Sequence, residues 1–139
     1  MIRGATEQDI SSVLDLWEVA GSPPSVSDTS EGLMRLLARD ADALLLAESG
    51  GIVIGSLIAA WDGWRGSFYK LVVHPDWRRQ GLATKLLTEG ERRLRARGAI
   101  RLTAIVIDDD PAAMGFWGAE GSGYEYQQHR ARFVRRLNA

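Results

Sequence analysis

The sequence predicts an α+β fold in which one mixed, mostly antiparallel sheet of about seven strands is flanked by about four helices. Helical and strand signals follow one another in the order βααβββαβαββ. Three segments show helical periodicity, a proline marks the start of a fourth helix, and the strand-like apolar runs are divided by glycine-containing turns. Because the chain has 139 residues, 45% of them hydrophobic, and no repeat or linker, we expect a single domain over residues 1–139.

The N-terminal segment predicts one short strand and two helices. Residues 1–5 have strand character, and Thr6 with Asp9 fits a capping box at the start of an amphipathic helix. The prolines and serines of residues 21–28 predict a loop that ends this helix. A second helix is expected over residues 29–39.

The middle of the chain predicts three consecutive strands. Residues 43–48 and 52–60 flank Gly50-Gly51, which is a signal for a two-residue hairpin turn. The turn at residues 62–66 leads into a third strand over residues 67–74.

The C-terminal half begins with a long amphipathic helix over residues 81–97. A buried strand is expected over residues 100–107. A fourth helix starts near residues 110–111, because proline suits the first helical position. Residues 124–127 and 130–137 are the last two expected strands.

The segment LVVHPDWRRQGLATKLL, residues 71–87, is the most informative part of the chain. It predicts a strand, a turn, a glycine-containing loop and a helix N-terminus. This order brings together unpaired backbone N–H groups, the positive end of a helix dipole and the guanidinium groups of Arg78 and Arg79. Gly81 has no Cβ, so a phosphate or pyrophosphate can approach the main chain closely. The alternative is an ordinary helix start with two solvated arginines.

Composition excludes several classes of function. No Gly-Lys-Ser/Thr follows Gly81, so the loop is not the phosphate-binding loop of nucleotide hydrolases. A net charge of −1 gives no support for a nucleic-acid or membrane partner. The absence of cysteine excludes disulfides, thiolate metal sites and a cysteine nucleophile, and His74 and His129 are too few for a metal cluster. No apolar leader or spanning segment is seen, so a cytoplasmic location is expected.

The spacing of Val73, Arg78, Gly81 and Ala83 resembles the acetyl-CoA signature of the GNAT acetyltransferase superfamily, Arg/Gln-x-x-Gly-x-Gly/Ala. A second likeness is the run DPAAMGFW from Asp110, followed by Gly121 and Gly123-Tyr124, which is similar to that family's Asn-x-x-Ala-x-x-Phe-Tyr...Gly-Phe/Tyr motif. The predicted element order is also that of the family, so the resemblance covers nearly the whole chain.

The resemblance implies a GNAT-like fold and an N-acetyltransferase that uses acetyl-CoA as co-substrate and no metal. It assigns the oxyanion-stabilising N–H to the backbone of Leu71 and the pairing with pantetheine to Val73. The residues that it places at the cofactor are Leu71, Val73, Arg78, Arg79, Gln80, Gly81, Leu82, Ala83, Thr84, Asp110 and Phe116.

The sequence departs from the family pattern at two positions. Asp110 stands where many members have asparagine, and a carboxylate can accept but not donate a hydrogen bond. Trp117 stands where many members have the tyrosine that protonates the CoA thiolate, and an indole cannot deliver that proton at neutral pH. Tyr124 is a weak substitute, and its alternative interpretation is a buried aromatic residue at the start of a strand.

A general base is not evident, since residues 66–70 contain no carboxylate. His74, Asp62, Asp108 and Asp109 are candidates, but structural, turn and cap roles explain them better.

With no cysteine, an acetyl-cysteine intermediate is impossible, and we expect direct attack by a primary amine in a ternary complex. The acceptor is a small-molecule amine, a peptide N-terminus or a lysine. The alternative function is a non-catalytic acyl-CoA-binding or sensor module of the same fold. A homodimer is compatible with either function.

Overall fold

The computed structural model describes residues 1–137. The chain divides into two compact units, Met1–Ala104 and Ile105–Ala139. The single domain expected over residues 1–139 stays a prediction.

The first unit contains five strands and three α-helices, whose bounds follow the predicted order closely. The elements are β1 (Ile2–Gly4), α1 (Ile10–Val19), α2 (Ser30–Arg39), β2 (Leu44–Ser49), β3 (Ile52–Trp61), β4 (Gly66–Val73), α3 (Leu82–Ala96) and β5 (Leu102–Ala104). The strand order in the sheet is β1-β2-β3-β4-β5, with antiparallel pairing except between β4 and β5, which are parallel. The expected α+β fold with a mixed, mostly antiparallel sheet is therefore confirmed.

Local signals set the ends of these elements. The Thr6 N–H donates to the Asp9 carboxylate at 2.8 Å, as the capping box predicts, although a 3₁₀ turn over Glu7–Asp9 precedes α1. The Thr29 side chain accepts from the Gly32 N–H at 3.0 Å and caps α2. Gly50 and Gly51 both have positive φ, 57° and 79°, as a two-residue hairpin of the primed type requires.

Helices cover both faces of the sheet in the first unit. Leu44 and Leu46 of β2 pack with α1 and α2 in a buried cluster. A Cβ at Gly90 of α3 would lie 2.9 Å from side-chain atoms of Leu57 and Phe68, so α3 packs closely on β3 and β4. Because side chains alternate along a strand, the buried strands are apolar on both faces.

The second unit contains one helix among its described residues, α4 (Pro111–Trp117). The expected strands at 124–127 and 130–137 are wrong, since no strand is found between residues 105 and 137. Phe133 and Leu137 are 95% and 78% exposed, so the apolar residues of this stretch gain no burial of the kind that stabilises a strand. The sheet therefore has five strands and not seven.

The expected strand at 100–107 is shortened to Leu102–Ala104, because only these residues pair with β4. Ile100 is 98% exposed, so its apolar character does not reflect burial in a strand. An apolar run indicates strand propensity but does not supply the backbone partner that a strand needs. Among residues 1–137, no helix is long and apolar enough to cross a membrane.

Candidate functional site

A β-bulge interrupts β4 one residue before the position at which the sequence places the oxyanion donor. The pairing of β3 with β4 shifts register between Ser56 and Ile58, and Lys70 on β4 has φ 54°. A left-handed conformation costs a non-glycine residue on the order of 1–2 kcal/mol. The Ser56 hydroxyl offsets part of this cost, because it donates to the Lys70 carbonyl at 2.8 Å.

Two backbone amides at the C-terminal end of β4 lie on the edge away from β3. The His74 N–H donates to the Ile54 carbonyl at 2.8 Å, so at His74 the main chain faces β3. Alternation along the strand turns the amides of Val73 and Leu71 to the opposite edge. There β5 pairs only with Gly66–Phe68. Leu71 and Val73 therefore have no strand partner at that edge within the described sheet.

The loop that follows β4 is held in a compact, strained shape. A 3₁₀ turn over Pro75–Trp77 is capped by His74, whose Nδ1 accepts from the Asp76 N–H at 3.1 Å. Arg79 and Gly81 then both adopt left-handed φ values, 64° and 77°. Such conformations persist only where the surrounding structure determines them, and they cluster at ligand sites. This geometry gives His74 a capping role.

The N-terminus of α3 presents unpaired amides beside open space. The first helical hydrogen bond runs from the Lys85 N–H to the Gly81 carbonyl at 3.1 Å, so the N–H groups of Leu82, Ala83 and Thr84 have no partner within the helix. A Cβ built on Gly81 meets no atom within 4 Å. Amides that face open space at the positive end of a 15-residue helix suit an anion such as pyrophosphate.

The two arginines of this loop differ in their contacts. The Arg78 guanidinium donates to the carbonyl of Val73 at 3.4 Å and to that of Ala20 at 3.3 Å, so it ties the loop to the end of α1. Arg79 is exposed, and its side chain makes no hydrogen bond within residues 1–137. Gln80 is also exposed. Arg79 and Gln80 are therefore the side chains best placed to meet a ligand, and Arg78 also has a structural role.

A lysine that the sequence analysis did not single out connects this site to the segment between α1 and α2. The Lys70 ammonium lies 2.7 Å from Asp28 Oδ2 and donates to Ser22 Oγ at 3.1 Å and to the Pro23 carbonyl at 3.0 Å. It also lies 4.8 Å from the centre of the Trp17 ring. The sequence offers one signal for Lys70, which is that it carries the single charge in the otherwise uncharged strand GSFYKLVV.

The acidic candidate Asp62 has a turn role in the structure. Its carboxylate accepts the N–H groups of Arg65 at 2.6 Å and Trp64 at 2.7 Å. These two backbone hydrogen bonds lower the pKa of Asp62. A general base at neutral pH needs a pKa raised toward 7, so this environment does not favour Asp62 as the base.

The remaining candidates lie in the second unit. Asp110 caps α4, since its carboxylate accepts from the N–H groups of Ala112 at 3.1 Å and Ala113 at 3.2 Å. Phe116, Trp117 and Tyr124 form an aromatic cluster with edge-to-face packing. The ring centres of Phe116 and Trp117 are 5.5 Å apart, and those of Trp117 and Tyr124 are 5.0 Å apart. The cofactor role of Asp110 and Phe116 and the acid role of Tyr124 stay predictions.

Comparison with known proteins agrees with this architecture. Residues 12–124 match the Acetyltransferase (GNAT) family. An acetyltransferase from Yersinia enterocolitica is 36% identical over 126 residues, which cover 91% of this chain and 88% of that protein.

Two solved structures show the likeness at the level of the fold. An aminoglycoside antibiotic 6′-N-acetyltransferase from Acinetobacter haemolyticus has a TM-score of 0.76 at 21% identity, covering 99% of both chains. An aminoglycoside N-acetyltransferase in complex with CoA has a TM-score of 0.74 at 19% identity, covering 98% of this chain and 93% of that one.

Proposed function

The chain belongs to the GNAT acetyltransferase family, and we propose that this N-acetyltransferase transfers the acetyl group of acetyl-CoA to a primary amine by direct attack in a ternary complex. One observation carries the proposal. The unpaired β4 edge at Leu71 and Val73 runs directly into a loop whose Gly81 opens the N-terminus of α3 to an anion. Acetyl-CoA fits both features, because its long arm carries the thioester at one end, for the β4 edge, and the pyrophosphate at the other end, for the loop.

The backbone supplies most of the groups for binding. Val73 pairs with the amide groups of the pantetheine arm, as a neighbouring strand would. The N–H groups of Leu82, Ala83 and Thr84 hold the pyrophosphate, and the left-handed Gly81 lets it approach the main chain. Exposed Arg79 and Gln80 add side-chain contacts.

The chemical step needs one well-placed donor. The amine nitrogen attacks the thioester carbon and forms a tetrahedral oxyanion, which the Leu71 N–H stabilises. The C–S bond then breaks, the CoA thiolate leaves and the amide product loses a proton to water. Because a thiol has a pKa of about 8.5, by analogy with cysteine, the thiolate can leave without a positioned acid. If a positioned acid is used, Tyr124 is our candidate.

The acceptor is proposed as a primary amine of one of two classes. Two proteins of the same fold carry the name aminoglycoside N-acetyltransferase. Their sequences differ too much from this chain to transfer a substrate, but they support a polar small molecule with a primary amine as one candidate. A peptide N-terminus or a lysine side chain is the other candidate.

A thiol-release assay tests the proposal. The full chain is incubated with acetyl-CoA and a panel of aminoglycosides, polyamines, amino acids and peptides, and CoA release is followed with a thiol reagent. We expect release that depends on one class of amine, with initial-rate lines that intersect. Parallel lines would contradict the ternary complex. Binding of acetyl-CoA without turnover on any amine would favour the alternative, a non-catalytic acyl-CoA-binding module.

A further inference from the structure

Resting on the proposed function, we propose that Lys70 is a positioning residue for the acceptor amine. Through Asp28 it holds the segment between α1 and α2, residues 20–29, against the bulge of β4. That segment then forms one wall of the acceptor site beside Leu71.

The contacts of the Lys70 ammonium suit an anchor and not an acid or base. An ammonium group has three N–H donors, and three oxygen atoms surround this one: Asp28 Oδ2, Ser22 Oγ and the Pro23 carbonyl, at 2.7, 3.1 and 3.0 Å. The Lys70 and Asp28 side chains are only 15% and 16% exposed. A charged pair so shielded from water is costly to break from one side, because the remaining charge loses its partner.

The position of Lys70 in the chain links this anchor to the reacting atoms. Lys70 is the left-handed residue of the bulge, and the next residue carries the amide that we assign to the oxyanion. Its carbonyl accepts from buried Ser56, which fixes the main chain at this point. The side chain of Lys70 thus holds the acceptor wall, and its main chain fixes the position of the oxyanion donor. One residue therefore sets the position of both features relative to each other.

A second contact holds the same segment from the cofactor side. Arg78, in the loop that we assign to CoA, donates to the Ala20 carbonyl at 3.3 Å, where α1 ends. The segment is therefore attached at its start to the cofactor loop and farther along, through Ser22, Pro23 and Asp28, to the β4 bulge. An amine bound against this wall lies beside the place that the thioester occupies.

The test replaces Lys70 by methionine, which keeps the length of the side chain and removes its charge. We expect the KM for the acceptor to rise and kcat to fall, each on the order of 10-fold, because a loosened wall misplaces the amine. The affinity for acetyl-CoA in calorimetry should change less than about 2-fold, since the α3 amides and Gly81 are untouched. Asp28→Asn should shift the same parameters, and the double variant should add little to either single change.

Arg97→Met is the matched control. Arg97 Nη1 lies 2.8 Å from Asp40 Oδ2, and this pair joins the C-terminal end of α3 to the end of α2, away from the proposed site. Loss of the Arg97–Asp40 ion pair should leave the acceptor KM and kcat unchanged. Equal acceptor KM values in wild type, Lys70→Met and Asp28→Asn would overturn the proposal.

Hydrogen exchange separates this proposal from the proposed function. Backbone amides of residues 20–29 should exchange at least about 10-fold faster in Lys70→Met and Asp28→Asn than in wild type or Arg97→Met. If exchange rises as expected but no amine is turned over by the wild type, the anchor exists and the transferase function fails. If turnover is found but exchange and acceptor KM do not move, the function stands and the role of Lys70 is wrong. Asp28→Asn decides the matter if Lys70→Met does not fold.

Discussion

The indole Nε1 of Trp17 donates to the hydroxyl of Ser56 across 2.9 Å, in a part of the core where both residues are buried. The Ser56 hydroxyl in turn donates to the Lys70 carbonyl at 2.8 Å. One buried serine thus joins α1, β3 and the bulge of β4. Replacing it by an apolar residue leaves one donor and one acceptor without a partner.

Ser56→Ala should lower the free energy of unfolding by about 1–3 kcal/mol, because the Trp17 N–H and the Lys70 carbonyl lose their shared partner. Urea unfolding followed by Trp fluorescence measures the loss. Ser67→Ala, in a half-buried serine of β4, is the matched control and should cost less. Equal midpoints for the two variants would contradict a structural role for Ser56.

Gly81→Asn should weaken acetyl-CoA binding by at least about 10-fold, or 1.4 kcal/mol, because a side chain enters the space open to the pyrophosphate. Asparagine tolerates the left-handed conformation that Gly81 adopts at φ 77°, so the backbone is little strained. Gly51→Asn is the control, since Gly51 has φ 79° and equally open surroundings in the β2–β3 turn. Calorimetry measures the acetyl-CoA affinity of both variants. If both variants bind acetyl-CoA as wild type does, the phosphate role of the loop is wrong.

Trp117→Phe should retain most of kcat, because an indole is too weak an acid to protonate the thiolate. Tyr124→Phe is its counterpart in the same aromatic cluster and removes a single hydroxyl. If Tyr124 is the general acid, kcat falls on the order of 10²-fold or more at unchanged acetyl-CoA affinity. Steady-state kinetics with calorimetry measures both. A large kcat loss in Trp117→Phe, with fold and affinity kept, would refute this assignment.

Gly90→Ala should destabilise the protein by about 1–3 kcal/mol, because the added Cβ would lie 2.9 Å from both Leu57 Cδ2 and Phe68 Cε1. Both neighbours are buried and cannot move into solvent, so the gain in helix propensity does not compensate. Gly115→Ala in α4 meets no atom within 4 Å and should instead stabilise its helix by up to about 1 kcal/mol. Thermal unfolding of the two variants should shift in opposite directions.

Glu89 should contribute to the acid stability of the protein. Hydrogen bonds from Arg92 at 2.6 Å and Arg93 at 3.1 Å lower the pKa of Glu89 from 4.5 to about 2. A lowered pKa means that the contribution is fully present above pH 4.5 and is lost as the pH falls toward 2. Since the group is partly exposed, the contribution is about 1 kcal/mol at most.

Unfolding free energies of Glu89→Gln and wild type should therefore converge between pH 4.5 and 2. A constant difference between Glu89→Gln and wild type down to pH 2 would contradict the assignment.

The parts of the fold that depend on local signals could be predicted from the sequence. Glycine pairs, a capping threonine and helical periodicity act over a few residues, and Gly50-Gly51, the Thr6–Asp9 capping box and α3 all appear where expected. The loop between β4 and α3 belongs to the same class, because a strand, a glycine and a helix start follow one another without interruption. Its role in binding phosphate stays a prediction. The strands expected after residue 123 depended on a distant partner, which alternation of apolar residues cannot indicate.

The bulge and its lysine could not be predicted, because they depend on the register between β3 and β4, in which the hydrogen-bonded residues Ser56 and Lys70 are 14 positions apart in the chain. Nothing in the run GSFYKLVV marks Lys70 as the left-handed residue, and its partner Asp28 is 42 positions away. Ser56 is the only hydroxyl-bearing residue in IVIGSLIAAW. A polar residue in a buried strand needs a hydrogen-bond partner, but the sequence does not say which residue supplies it.

The strand order in space equals the order in the chain, and this has a kinetic consequence. The β2, β3 and β4 strands form a meander over residues 44–73, whose contacts close short loops and can form early. The parallel pairing of β5 must wait until α3 has crossed over the sheet, which closes a much longer loop. The loop around Gly81 lies where the meander passes into that crossover. The proposed cofactor loop is therefore expected to take its final shape late, after the strand that carries Leu71 has already found its register.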